Sequence, residues 1–406
     1  MRVALIQEHL DVRRGGAESA TIELAQHLAG LGLRVTVITV AGDRTSVAAD
    51  RSASVPRSDL PRPAFHFVGV GYGSRAARTA RFIARADRCC RRGRFDIVHA
   101  LVPCLSCNVY QPRGGTYVET VARSAGLART RPGRLLKRLA RRFNRRQRRL
   151  LRLEQTLLTR PDPPFVAAVS RYVARQVADA FAGYPQQRVR VIFNGVVIDA
   201  LAGPAAEQAR SDLRRQLGLS EAGSLLLFVA HNFKLKGLAE LLRALAVLDR
   251  ERQPRAAGGS ATTLAVVGRG APRRYQRLAR RLGVGDRLRF LGPRRDLPAL
   301  YAAADLLVHP TWYDPCSRVV LEALCCGLPV VTTRCNGAAE VMVTDRHGMV
   351  VDRPDEAAAL AAAVRDSLRP ELRAACRADA PRLRRQLSMA RHAAELKTLY
   401  EEIVAG

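Results

Sequence analysis

Asp314 and Glu322 stand eight residues apart in the run HPTWYDPCSRVVLEALCCGLPVVTTRCNGAAEVM, residues 309–342. Its pattern predicts the end of a buried strand, a loop, a helix and a second buried strand. Asp314 then falls in the loop, and Glu322 about one turn into the helix. Carboxylates accept hydrogen bonds from vicinal hydroxyls, so this pair suits a ligand that carries both a sugar and a ribose. Acids near a helix start also complement its dipole, and spacing alone leaves both readings open.

Lysines mark a second place. Only four of the 67 basic residues are lysines: Lys137, Lys234, Lys236 and Lys397. Two of them sit in Phe233-Lys234-Leu235-Lys236-Gly237, at a predicted strand-to-helix junction. A compact ammonium there, in a chain that otherwise uses arginine, suits a point contact to a diphosphate. A solvated loop is the plain alternative. Gly15-Gly16, between the first predicted strand and helix, would let a phosphate approach the backbone. A tight turn explains the same pair. Cys104 and Cys107 have two residues between them, but no second cysteine pair or nearby histidine completes a metal or redox set.

The elements that must position these groups alternate. Strands are predicted at 2–6, 34–40, 95–100 and 165–170, with helices at 17–31 and 171–182. A second series follows, with strands at 189–193, 225–230, 262–267, 288–291, 305–309, 329–333 and 349–352. Its helices fall at 237–250, 272–283, 296–304, 318–326 and 355–368. Repeated β-loop-α-β units predict parallel sheets. Two α/β domains in tandem, each Rossmann-like, would face a central ligand cleft at the carboxyl ends of their strands. The expected division is 1–188, 189–385 and a terminal helix, 386–406, crossing back to the first domain. The length of 406 residues agrees with two cores.

Charge is the outlier, with a net +31. Between residues 120 and 160 thirteen arginines and one lysine face a single acid, Glu154, with leucines interleaved at helical spacing. This reads as a basic amphipathic segment that meets an anionic membrane surface, with a solvated face as the plain alternative. Nucleic acid is not expected, because Phe143 is the only aromatic available there for stacking. No run reaches the about 18 apolar residues of a spanning helix. No secretory signal follows Met1, and the cysteines form no even framework, so a cytoplasmic chain with reduced thiols is expected.

The run DPCSRVVLEALCCGLPVV resembles the acid-x7-acid motif of family 4 glycosyltransferases with the GT-B fold. Gly15-Gly16-Ala17-Glu18, Asp96-Ile97-Val98-His99, Asn194-Gly195-Val196, Lys236-Gly237, Val267-Gly268, Tyr301 to Asp305 and Asn336-Gly337 stand in matching order. Within that family the chain looks most like lipopolysaccharide core glucosyltransferases. The resemblance implies a nucleotide-sugar donor, UDP-glucose, as substrate and no cofactor or metal. It places donor-sugar contacts on Asp314, ribose contacts on Glu322, and diphosphate contacts on Lys236, with Lys234 as a second. Pro315, Cys316, Ser317, Arg318 and Val319 join the donor loop, and Gly15 and Gly16 approach the phosphates. The first-domain residue near the anomeric centre has no matching histidine or acid. Gly114 is the nearest equivalent in VYQPRGGT, residues 109–116, and His99 is the nearest titratable candidate. His99 also fits a hydrogen-bonded core histidine. Asp314 is one methylene shorter than the family's commoner Glu, and Leu235 replaces a basic residue that many relatives carry.

The implied activity is retaining, metal-independent transfer of a hexose to a lipid-linked glycan such as lipopolysaccharide core, at the inner face of the cell membrane. Rival readings are an exopolysaccharide or phosphatidylinositol acceptor, and a non-enzymatic basic protein that binds membrane or nucleic acid.

Overall fold

A computed structural model describes residues 1–10, 16–41, 60–126, 144–198, 203–219, 223–251 and 262–406. The chain forms two compact units, Met1–Gly195 with Ser388–Gly406, and Val196–Leu387.

The first unit begins with β1 (Arg2–Ile6), α1 (Gly16–Gly30), β2 (Arg34–Val40) and β3 (Ala64–Val68). It continues through α2 (Arg75–Arg92), β4 (Ile97–Ala100), β5 (Val109–Tyr110), α3 (Tyr117–Gly126) and α4 (Arg145–Thr159). β6 (Phe165–Ala168), α5 (Arg171–Ala180) and β7 (Val189–Val191) follow. The strands form one parallel sheet in the order β3-β2-β1-β4-β5-β6-β7. β1 lies inside the sheet, between β2 and β4, and Val3, Ala4, Leu5 and Ile6 are apolar on both faces, as a parallel strand covered on both sides requires. Side chains start the helices: Ser74 caps α2, Asn144 caps α4 and Ser170 caps α5, each accepting from a backbone N–H three residues on.

The second unit contains α6 (Gly203–Gln216), β8 (Ser224–Val229), α7 (Leu238–Glu251), β9 (Thr262–Val267), α8 (Pro272–Arg281) and β10 (Leu288–Gly292). α9 (Leu297–Ala303), β11 (Leu306–His309), α10 (Arg318–Cys325), β12 (Val330–Thr333), β13 (Gly348–Val351), α11 (Ala357–Ser367) and α12 (Pro370–Gln386) complete it. Its parallel sheet runs β10-β9-β8-β11-β12-β13. Leu226, Phe228, Leu264, Val266 and Val308 of the sheet pack with Leu241 and Leu245 of α7 and Leu360 and Val364 of α11.

The last helix, α13 (Met389–Ala405), belongs to the first unit. Ser388 caps it, and His392 Nδ1 lies 2.7 Å from the Phe193 carbonyl, which also accepts from Arg391 Nη2 at 2.9 Å.

One expectation needs correction. The strand at 189–193 does not open the second series. β7 pairs with β6, Val166 opposite Val189, and so continues the first sheet. The division between units falls at Gly195 and Val196.

Strand order sets the site. In the second sheet, succession runs outward one way from β8 and the other way from β11, and these two strands are neighbours. Loops leaving their carboxyl ends diverge to opposite faces and open a crevice, where α/β sheets bind ligands. Those loops carry Lys234 and Lys236 after β8, and Asp314 after β11. In the first sheet the same reversal falls between β1 and β4.

Candidate functional site

The loop after β8 turns at Gly237, with φ +82°. A Cβ there would stand 2.0 Å from the Pro310 carbonyl oxygen, so only glycine lets this loop lie against the end of β11. Backbone bonds join the two loops: Trp312 N–H donates to the Leu235 carbonyl at 2.9 Å, and the Thr311 hydroxyl donates to the same oxygen at 3.2 Å.

This approach brings Lys236 to Asp314. Lys236 Nζ lies 2.6 Å from Asp314 Oδ2 and 3.3 Å from the Tyr313 carbonyl. Asp314 is fixed from a third side, since its N–H donates to the Cys335 carbonyl and its own carbonyl accepts from Gly337 N–H, both at 2.9 Å. His309 Nε2 lies 3.6 Å from Asp314 Oδ2 and 3.4 Å from Ser317 Oγ. Burial opposes the Asp314 charge, but the Lys236 ammonium and His309 outweigh it and hold the carboxyl well below the usual range. Burial pushes His309 down despite the hydrogen bond to Asp314, so it is neutral near pH 7. The result is an ionised acid and one ammonium, both largely shielded from water.

Glu322 lies on α10. Tyr301, from α9, donates its hydroxyl to Glu322 Oε2 at 2.9 Å, and Arg318 Nε lies 3.6 Å from Oε1. Burial and the Glu322 charge raise the Tyr301 phenol well above its ordinary value, so it remains a donor. The Glu322 carboxylate is therefore oriented by a fixed hydroxyl. The first turn of α10 holds no acid, and Glu322 lies past it. Tyr301 is a partner of Glu322 that spacing did not reveal, although it stood in the matched run.

Not every loop residue presents a side chain. Pro315, Cys316 and Ser317 are buried, and Ser317 N–H donates to Asn336 Oδ1 at 3.2 Å. They shape the loop, whereas Arg318 and Val319 are half-buried at the start of α10. Lys234 is exposed.

In the first unit, Gly16 opens α1 and Gly15 lies outside the described residues. His99 is corrected from a catalytic candidate to a core residue. It is 0% exposed in β4, its Nδ1 lies 2.6 Å from the Tyr400 hydroxyl of α13, and burial and Arg113 lower its pKa to about 3. The Gly114 carbonyl accepts the Thr120 hydroxyl at 3.2 Å. Arg113 beside it donates to Gln111 Oε1 and Thr21 Oγ1, both at 2.9 Å.

The basic segment is also corrected in part. On α4 the apolar side turns inward: Leu150, Leu157 and Leu158 are buried, and Arg146 pairs with Glu8 at 2.8 Å. The outer face presents Arg145, Arg148, Arg149 and Arg152 around a shallow hollow of about 410 Å³. Residues 127–143 of the same segment lie outside the described residues. Among the described residues, no helix is long and apolar enough to cross a membrane, and no three His, Cys, Asp or Glu side chains gather as a metal site would need. All nine cysteines are free thiols.

Two α/β units, one with lysine, aspartate and glutamate set at its strand-order switch, are the architecture of a GT-B glycosyltransferase. Residues 14–200 match the family described as Glycosyltransferase Family 4, and residues 223–369 match Glycosyl transferases group 1; the chain belongs to these glycosyltransferases. It is 34% identical over 182 residues to the lipopolysaccharide glucosyltransferase WaaG of Escherichia coli strain K12, covering 44% of this chain and 47% of that protein. It is 34% identical over 238 residues to the D-inositol 3-phosphate glycosyltransferase of Corynebacterium jeikeium, covering 56% of each. The chain thus spans about half the length of these curated relatives. Among solved structures, WaaG matches with a TM-score of 0.75 at 23% identity, over 100% of both chains. HepE of Anabaena, solved with UDP and glucose, matches with a TM-score of 0.70 at 19% identity, over 99% of this chain and 100% of that one. These likenesses show the shared fold.

Proposed function

We propose that this chain is a retaining, metal-independent glycosyltransferase that moves glucose from UDP-glucose to a lipid-linked glycan at the cytoplasmic face of a membrane. The observation that carries this reading is the Lys236–Asp314 pair, 2.6 Å apart at the switch point of the second sheet. Lys236 exchanges Asp314 for the donor diphosphate. Asp314 then accepts from a hexose hydroxyl, and Glu322, held by Tyr301, accepts from the ribose. In the transfer, the bond from the anomeric carbon to the phosphate oxygen breaks, and the bond to the acceptor oxygen forms on the same face. The acceptor proton goes to the leaving phosphate. Lys236 and the N-terminal end of α10 stabilise the charge that develops there.

The names of relatives support the substrate choice. WaaG is named a lipopolysaccharide glucosyltransferase, and HepE has been solved with UDP-glucose. A second acceptor class, a phosphorylated inositol, is favoured by the 238-residue match to the inositol 3-phosphate enzyme. The arginine face of α4 supports the membrane location, since clustered arginines are attracted to anionic lipid.

The test is product formation from labelled UDP-glucose with lipid-linked core glycan, an exopolysaccharide intermediate and inositol 3-phosphate as separate acceptors. Transfer to core glycan is expected, reduced about 100-fold or more in Asp314→Asn and Lys236→Ala. Transfer to inositol 3-phosphate alone would replace the acceptor, and full activity in both variants would remove the site.

A further inference from the structure

A cavity of about 400 Å³ opens at the opposite end of the second sheet. Its floor includes Ala304, two residues before β11, and Pro329, immediately before β12. Each of these strands is four residues long, so about 13 Å of sheet separates this floor from the loops that hold Asp314 and Lys236.

Asp305 explains why the wall is basic. Its carboxylate is 3% exposed and accepts from Leu225 N–H at 2.7 Å. Three guanidiniums converge on it: Arg210 at 2.6 Å, Arg214 at 3.1 Å and Arg373 at 3.0 Å. One carboxylate cannot neutralise three arginines, so positive charge remains at the cavity wall. Burial lowers the pKa of Arg373, Asp305 opposes this, and the neighbouring charges of Arg210, Arg377 and Arg214 lower it further. Arg377 adds another guanidinium on α12, with no carboxylate paired to it among the described residues. Arg384 reaches the cavity while its Nε donates to the Cys325 carbonyl, at the end of α10, at 3.0 Å. The lining thus carries four arginines against one acid, Glu207.

Arginine forks bind phosphate oxygens in pairs, and a concave apolar floor of this size accommodates a small molecule rather than a polymer. We propose that the cavity bounded by Arg210, Arg373, Arg377 and Arg384 binds a phosphate-bearing small molecule at a second site, distinct from the Lys236–Asp314 pair, with Tyr301, the partner of Glu322, in its wall. Mutual repulsion of the arginines is relieved when the phosphate arrives, which provides the driving force. The inference stands on the cavity and does not depend on the activity proposed above.

Inorganic phosphate is the probe, titrated by calorimetry into the full chain in chloride buffer of constant ionic strength. The variants are Arg377→Gln with Arg384→Gln, and Ala206→Trp, which fills the cavity from α6 without changing charge. Lys236→Ala reports on the donor site. Phosphate binding is expected to weaken at least tenfold in both cavity variants and to stay within twofold of wild type in Lys236→Ala. Should the double variant unfold, Arg377→Gln alone and Ala206→Trp carry the comparison, since the first breaks no ion pair and the second lies on a surface helix. Unchanged binding in the cavity variants, or loss in Lys236→Ala alone, would overturn the proposal.

Discussion

Lys236 Nζ stands 2.6 Å from Asp314 Oδ2, although the two residues lie 78 positions apart and on loops from different strands. The pair exists because β8 and β11 are neighbours at the switch in strand order, and because Gly237 lets one loop lie on the other. Both side chains keep some access to solvent, 18% and 13% exposed.

Tyr301→Phe removes the hydroxyl that orients Glu322. Losing one hydrogen bond to a charged group costs about 1.5–3 kcal/mol, so KM for UDP-glucose should rise roughly tenfold or more, with kcat less affected. A donor whose ribose lacks both hydroxyls should bind wild type and variant equally. Equal sensitivity to both donors would show that Tyr301 does not act through the ribose.

Gly237→Ala places a Cβ against the Pro310 carbonyl at positive φ. No relaxed geometry accommodates it, so a stability loss of about 2 kcal/mol or more is expected, together with loss of donor binding. A denaturation midpoint equal to wild type would show that the loop is free to move aside.

His99 makes a pH prediction. Its folded pKa of about 3 lies below the ordinary value of about 6.5. The unfolded chain therefore binds the extra proton first as pH falls. The stability that neutral His99 contributes is complete above about pH 6.5 and is lost as pH drops toward 3, with a slope of up to about 1.4 kcal/mol per pH unit. His99→Gln should flatten this slope between pH 6 and 4 in chemical denaturation, while leaving the pH profile of transfer unchanged. A moved activity profile would restore His99 as a reacting group.

The arginine face of α4 predicts an electrostatic membrane contact. Replacing Arg148, Arg149 and Arg152 with Glu should abolish binding to vesicles rich in anionic lipid, since each basic residue contributes about 1 kcal/mol near such a surface. Leu157→Ala should act on stability and not on vesicle binding, because Leu157 faces the core. Binding insensitive to the arginine changes and to salt would place the contact elsewhere.

The second unit was the more legible half. Its strands are near-continuous apolar runs such as TTLAVV, residues Thr262–Val267, all buried, and its chemistry sits on short loops beside glycines. The first unit hid more. α2 buries Thr79, Phe82, Ile83, Ala86 and Cys90 at helical spacing, but seven arginines in the same 18 residues mask the pattern. β5 is two residues long, too short for a period. α4 shows how composition can mislead: leucines among arginines suggest a lipid-facing side, yet a two-sided helix on a protein core carries the same pattern. Asp314 and Lys236 were each nameable from sequence. Their contact was not, because it depends on strand order. Tyr301 was visible only as part of a run, since a donor hydroxyl 21 residues from its acceptor leaves no local signal.

The most direct test of the donor site is calorimetric titration of UDP-glucose into wild type, Lys236→Ala, Asp314→Asn and Glu322→Gln, with folding checked by thermal denaturation. Affinity should fall about tenfold or more in Lys236→Ala and Glu322→Gln. For UDP alone, Asp314→Asn should bind as wild type or tighter, since it contacts the sugar and no longer competes for Lys236. Wild-type UDP-glucose affinity in all three variants would contradict the assignment of this crevice as the place where the donor binds.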